Sequence, residues 1–418
     1  MNKIVASLGM VALGVSGLST ASAQDAPPQK FWNVSASLRG FYDDNLSTLP
    51  SGVPKSDTFG VEVSPGIGLN WETDTTKISA GYRYSLKYYD DKPVGTTKKY
   101  DQNHTFDLML DHVISERFRI GATDSFVIGQ EPDALRAGAF SATQRIPGDN
   151  IRNYGTVTFD AQLTHLFGLE VGYANSYFDY AADASDGVIP SNSGLLDRIE
   201  HKANVDGRLQ LAPNTTGVAG YAYGQVDYTA DESIGVGLVS EDRNSRSHYG
   251  YVGADHMFNP DLTGSIRGGV QYIDFYNLDN TDVSPYVQGS LKYIYAPEST
   301  VSVGFTQSRS PMNLLGDPAD PVRDADTSVL FGSVRHRIVP NLFGSVIGTF
   351  QNAKFNGGGT GFDGKNEQYY QLGLNVEYRF NPYLSTEIGY NYDKVVSDIS
   401  SGREYDRNRV YIGLTARY

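Results

Sequence analysis

The chain has 418 residues, with 34 Lys and Arg against 48 Asp and Glu, and a formal net charge of −14. That acidic balance speaks against binding nucleic acid through its backbone, which needs a basic footprint. A hydrophobic share of 39% with mean hydropathy −0.36 argues against a bundle of membrane-spanning helices, and the absence of cysteine removes disulfides and thiolate metal sites.

The first element is an export signal. Lys3 supplies the positive end, Ile4 to Leu18 an apolar stretch, and Ala21-Ser22-Ala23 a small-residue cleavage site before Gln24. Residues 1–23 are expected to be removed, residues 24–30 to form a short periplasmic lead, and residues 31–418 to form one domain. With the first strand following so soon, no room is expected for the plug of an energy-coupled importer.

From there on, segments of roughly 12 to 16 residues alternate in polarity with period two. Phe59, Val61, Val63, Pro65, Ile67, Leu69 and Trp71 alternate with Glu62, Ser64, Gly66, Gly68 and Asn70. Ile78, Ala80, Tyr82, Tyr84, Leu86 and Tyr88 alternate with Ser79, Gly81, Arg83, Ser85 and Lys87. The pattern returns over 157–167 and 203–211. Around 328–338 and 342–350 the parity can be read either way. It is cleanest over Tyr369–Phe380, where Tyr370, Leu372, Leu374, Val376, Tyr378 and Phe380 face away from Gln371, Asn375, Glu377 and Arg379. Successive strand side chains point to opposite faces, so each segment separates an apolar from a polar side.

Short turns are expected at 72–77, 114–117, 166–168, 212–215, 259–261, 296–299, 339–342 and 380–382. Longer polar connections lie between them, such as 131–149, 183–196, 231–244 and 356–366. The spacing of roughly 44 residues is also that of a propeller blade, but each repeat holds two long strands rather than four short ones. Aromatic residues mark both strand ends. Trp71, Phe118, Phe167, Phe258, Tyr295, Phe380 and Tyr418 stand beside the short turns; Tyr42, Tyr88, Tyr177, Tyr180, Tyr228, Tyr276 and Tyr392 stand near the long loops. These signals predict an all-β fold, a transmembrane antiparallel up-and-down β-barrel of about 18 strands in the outer membrane of a Gram-negative-type bacterium. Closure is physically required, because hydrocarbon offers no partner to a sheet edge.

Parity places Arg39, Arg83, Lys87, Arg119, Lys202, Arg208, Arg267, Lys292, Arg379, Arg409 and Arg417 on the lumen side. Glu62, Asp107, Asp160, Asp206, Asp255, Glu377 and Glu387 join them there. A Lys or Arg on the lipid side would cost about 2–4 kcal/mol at the midplane. The long third loop, with Arg136 and Arg145, is a candidate constriction, and deleting residues 135–143 should then raise conductance. The last segment ends at Tyr418, with Gly413 and with Ala416 in an alternate apolar slot, as a signal for barrel assembly.

The segments Arg39-Gly40-Phe41-Tyr42-Asp43-Asp44-Asn45, Glu62-Val63-Ser64-Pro65-Gly66 and Gly81-Tyr82-Arg83-Tyr84 resemble the putative β-barrel porin type-two family, outer-membrane proteins often encoded beside exopolysaccharide synthesis genes. The likeness is clearest over roughly the first 90 residues and becomes general barrel patterning beyond. It implies an outer-membrane channel, with surface-polysaccharide export as a candidate task. The partners implied are outer-membrane lipid and lipopolysaccharide, the barrel-assembly machinery and polysaccharide-export components.

Catalytic signals are weak. Gly359, Gly364 and Lys365 mimic a phosphate-binding loop, but Asn366 stands where Ser or Thr is needed. No histidine pair has zinc-protease spacing, and the mature chain lacks a nucleophile elbow. Acidic pairs at loop ends, such as Asp43-Asp44 and Asp90-Asp91, could hold Ca²⁺, although a solvated rim accounts for them better. The sequence favours a channel, with neither cofactor nor metal and no catalytic residues. A structural or adhesive barrel with a blocked lumen is the alternative, and an outer-membrane enzyme the third reading.

Overall fold

The computed structural model describes residues 30–92, 98–130, 148–181, 191–235, 237–312, 314, 316–317, 320–399 and 403–418. The signal segment lies outside the described residues. So do Arg136, Arg145 and the 135–143 stretch.

Eighteen long strands form one antiparallel sheet. They are β1 (Trp32–Asp43), β2 (Thr58–Glu72), β3 (Thr76–Tyr89), β4 (Tyr100–Ser115), β5 (Phe118–Gly129) and β6 (Asn150–Gln162). Next come β7 (Phe167–Tyr180), β8 (Arg198–Ala212), β9 (Thr215–Tyr228), β10 (Ser245–Asn259), β11 (Leu262–Phe275) and β12 (Asn280–Ala296). The circuit ends with β13 (Ser299–Ser310), β14 (Asp320–Val339), β15 (Leu342–Gly357), β16 (Asn366–Asn381), β17 (Leu384–Ser397) and β18 (Tyr405–Arg417). Each pairs with its sequence neighbour, and β18 returns to β1 with Ser35 opposite Arg417 and Asp43 opposite Arg409. Val34 and Tyr418 exchange two backbone hydrogen bonds of 3.1 and 2.9 Å at the seam. The barrel is closed.

Register carries one parity right round the wall. Arg39 lies opposite Glu62, and Glu62 opposite Lys87; Asp160 lies opposite Glu170, and Glu170 opposite Asp206. All of these project inward. The outward set is apolar and exposed, from Leu38 and Ile67 to Val252, Ile266 and Ile412. So large an apolar surface is incompatible with water and suits hydrocarbon. The two ambiguous segments take the same parity, with Leu330, Val334, Val346 and Phe350 outward.

Two inward tyrosines need glycine across the strand. Tyr411 lies over Gly389 and Tyr251 over Gly220, where a Cβ would sit 2.1 and 2.4 Å from the ring. An aromatic laid over a glycine on the neighbouring strand covers its bare backbone.

Three expectations need correction. Tyr180 and Tyr228 are not part of an outward aromatic band; they turn inward and are buried beneath loops. The turn expected at 166–168 falls at 163–166, because Leu163 and Thr164 donate their backbone N–H groups to the Phe167 carbonyl. The connection 276–279 is as tight as a hairpin turn although it lies at the long-loop end, with Asp279 at φ 49°.

Candidate functional site

The inner face differs between its two ends. In the half nearest the short turns it is a network of ion pairs within a strand, between adjacent strands and across an intervening strand. Arg39 donates to Glu387 at 2.6 and 2.7 Å and approaches Glu62 at 3.7 Å. Glu387 also accepts from Asn375 at 2.9 Å. Arg208 binds Glu170 at 2.6 Å and Asp255 at 2.8 Å, and Asp255 binds Arg267 at 2.8 Å. Glu377 gathers Arg379, Arg417 and Arg335 at 3.2, 3.6 and 3.7 Å. Arg119 pairs with Asp111 across β4 and β5; closer to the long loops, Arg409 pairs with Asp393 at 2.6 Å. Also toward the long-loop ends, Lys87 faces Glu62 and Asp101 in register. Arg83 and Lys292 are exposed on the same face, and among the described residues no ion pair reaches either. Most of this charge is half-buried, so it stays close to solvent.

The half nearest the long loops is filled instead. Three connections fold onto the inner wall. After β7, Ser191 caps a one-turn helix (Asn192–Leu196) by accepting the Gly194 N–H at 2.8 Å. Its Leu196 packs on the inward Phe178 and Tyr180. Arg198 holds the helix end, donating to the Leu196 carbonyl at 2.9 Å while lying 4.2 Å over the Phe178 ring. After β9, Ser233–Gly235 pairs antiparallel with Leu238–Val239, and Ser240–Arg243 makes a 3₁₀ turn. After β13, Met312 enters an apolar cluster with Val322, Ala325, Ala353, Phe355 and Ile399.

Arg243 joins the three. Its guanidinium donates to the carbonyls of Gly194 at 3.1 Å, Leu195 at 3.0 Å and Met312 at 3.5 Å, and stacks 4.0 Å over Tyr228. The residue is 1% exposed. Beneath it a cavity of about 80 Å³ is lined by Lys202, Tyr249, Gln271, Tyr286, Arg309 and Asp324 among others. Arg309 accounts for much of its polarity: it donates to Asp324 at 2.6 and 2.7 Å, pairs with Asp282, and its backbone N–H bonds Gln271. Sequence reading missed Arg243, because loop residues have no period to betray which way they fold; it also missed the strand residue Arg309 and Lys202's stacking on Tyr249 at 4.2 Å, whose partners are set by cross-strand register.

Titration in the loops follows burial. Asp197, at the end of the one-turn helix, is pushed up to about 7 by burial, and the Ser193 hydroxyl and Tyr180 N–H only partly offset this. Burial also lowers the Arg243 guanidinium from its ordinary value. Elsewhere on the same rim burial works against the Asp44 carboxylate. The Asn408 backbone and side chain and Lys55 outweigh it, so its pKa lies below the usual value. Among the described residues no cluster of three or more His, Asp or Glu is placed to hold a metal ion.

A closed antiparallel barrel with an apolar outer wall and a charged inner wall defines a membrane-spanning β-barrel. The family model described as Putative beta-barrel porin 2 matches residues 32–418, and the chain belongs to that family of bacterial outer-membrane barrels. No curated protein matches the chain in sequence. Among solved structures it is similar to OccAB4 of Acinetobacter baumannii, at 12% identity and TM-score 0.43, over 94% of this chain and 99% of that one. It is also similar to the outer membrane protein OpdK of Pseudomonas aeruginosa, at 12% identity and TM-score 0.43, over 93% and 99% of the two chains. The FrpB iron transporter of Neisseria meningitidis, at 9% identity and TM-score 0.44, is covered over 83% of its length by 93% of this chain.

Proposed function

We propose that the chain is a passive outer-membrane channel for small polar solutes, narrowed at its long-loop end by the Arg243 junction. The observation that carries this reading is the inner wall itself: a closed circuit of paired charges that only water or polar solute can face at reasonable cost. Membership of a porin family agrees with transport rather than catalysis. The residues proposed to line the lumen are Arg39, Arg83, Lys87, Arg119, Arg208, Arg267, Lys292, Glu377, Arg379, Glu387, Arg409 and Arg417. The assembly role of Gly413, Ala416 and Tyr418 belongs to the same proposal, supported by the seam contact of Tyr418 with Trp32, ring centroids 5.6 Å apart. Proteoliposomes carrying the chain should swell in isotonic monosaccharide faster than empty ones. Equal rates would support the blocked-lumen alternative.

A carbohydrate polymer is the second reading. Inward Tyr251 and Tyr411, beside Arg267 and Arg39, offer stacking faces and cations to sugar rings and uronate groups. An alginate oligomer should then interrupt ion current at concentrations where neutral dextran does not; equal effects of the two would remove this reading.

A further inference from the structure

The chain has seven histidines, and register turns six of them to the outward face of the barrel. Three stand three or four residues inside the long-loop ends of their strands: His104 on β4, His201 on β8 and His248 on β10. Three stand three residues inside the short-turn ends: His112 on β4, His256 on β10 and His336 on β14. On the two strands that carry a histidine at both levels the outward residues between them are apolar or glycine: Phe106, Leu108 and Leu110 on β4, and Gly250, Val252 and Ala254 on β10. The histidines therefore form two bands at the two edges of the hydrocarbon-facing zone.

Every one of the six rings is held in the same way. A hydroxyl lies against Nδ1: Tyr82 on His104 at 3.0 Å, Tyr173 on His201 at 2.7 Å, Tyr221 on His248 at 2.6 Å. At the other edge they are Thr76 on His112 at 2.8 Å, Thr215 on His256 at 2.8 Å and Tyr295 on His336 at 2.9 Å. Hydroxyl groups both donate and accept, so this partner serves either charge state. Where the hydroxyl donates to Nδ1 of a neutral ring, the ring proton stands on Nε2; in imidazolium, Nδ1–H donates to the hydroxyl and Nε2–H is kept. In both states Nε2–H remains a donor, and none of the six rings is buried.

We propose that the two histidine bands grip the phosphate groups of membrane lipids through Nε2, fixing the barrel's depth in the bilayer. A phosphate oxygen is the acceptor available at that level, and the other neighbours of these rings are already matched. They are Tyr84 beside His104, Asn175 beside His201, Tyr223 and Tyr272 beside His248, Phe258 beside His256 and Ser299 beside His336. Across the strands His104 and His112 meet Ile128 and Ile120, so no acidic or basic side chain competes with the lipid at those positions. The proposal uses only the outer wall and is independent of whether the lumen conducts.

The test uses the full mature chain purified in dodecyl maltoside. Phosphatidylglycerol, or a phosphate-free galactolipid of matched chains, is added and retention is read by native mass spectrometry. Wild-type barrel should retain phosphatidylglycerol about tenfold better than galactolipid. The triple variants H104F/H201F/H248F and H112F/H256F/H336F keep a ring at each position and should each lose most of that preference. His→Gln triples, which keep a donor near the Nε2 position, should retain more of the preference than the Phe triples. Heat-modifiable migration on gels reports that each variant is a folded barrel. Equal retention of the two lipids by wild type would overturn the proposal, as would folded Phe variants that keep the preference; displacement of phosphatidylglycerol by millimolar inorganic phosphate alone would also count against a lipid site.

Discussion

The two halves of the inner wall solve the same problem in opposite ways. Near the short turns, charge is left half-solvated: Glu377 keeps three arginines around it, and Arg417 is 48% exposed in its side chain. Near the long loops, charge is sealed: the Arg309 and Asp324 side chains are 2% and 4% exposed. A solvated pair contributes about 0–1 kcal/mol, while removing one member of a sealed pair strands the other at a cost of about 3–5 kcal/mol. The same residue types therefore tune charge in one half and hold structure in the other.

The sharpest break in that contrast is Arg309→Ala. It should destabilise the barrel by about 3–5 kcal/mol in urea unfolding from lipid vesicles, whereas Arg417→Ala should cost about 1 kcal/mol or less. Similar values for the two would erase the distinction between the halves. Arg243→Ala removes the donor shared by three loop carbonyls. A loss of about 1.5–3 kcal/mol is expected, confined to the loops, seen as faster protease cleavage after β9 with unchanged heat-modifiable migration.

Asp197 sharpens the comparison through pH. Its folded-state value of about 7 stands above the unfolded value of about 3.9, so the docked helix is favoured while the carboxyl is protonated. That contribution is full below the unfolded value and fades as pH rises through about 7. Amide exchange at Tyr180 and Asp197 should therefore be slower near pH 5 than near pH 8 after correction for intrinsic rates, and Asp197→Asn should flatten the difference. The smallest effect is expected from Glu377→Gln. Stability should move by about 1 kcal/mol or less, while the reversal potential in a salt gradient shifts toward anion preference because three arginines lose their shared counter-charge.

Much of the wall was legible in the sequence because a membrane imposes period two on every strand. Tyr369–Phe380 alone fixes which face meets lipid, and register then carries that parity to Arg39 and Glu387 with nothing further needed. The histidine bands were legible by the same rule, since His104 and His112 share the parity of Leu108. The loops were not. Arg243 follows Asp242 in a polar stretch with no period, and its three acceptors are backbone carbonyls, which leave no trace in side-chain identity. Tyr180 and Tyr228 misled for a related reason: an aromatic residue at a strand end suits either a headgroup or the underside of a folded loop. Asp124 is a further exception, turned outward on β5 between Ala122 and Phe126 and bonded to Asn153 at 3.0 and 3.1 Å. That neighbouring amide makes an outward carboxylate tolerable.

Single-channel recording in planar bilayers tests the central claim most directly, with wild type and Arg243→Ala measured side by side. The account predicts discrete ohmic steps for the wild type and larger steps for the variant, as expected if the junction narrows the proposed channel. Silent bilayers for both proteins, with insertion verified, would contradict it.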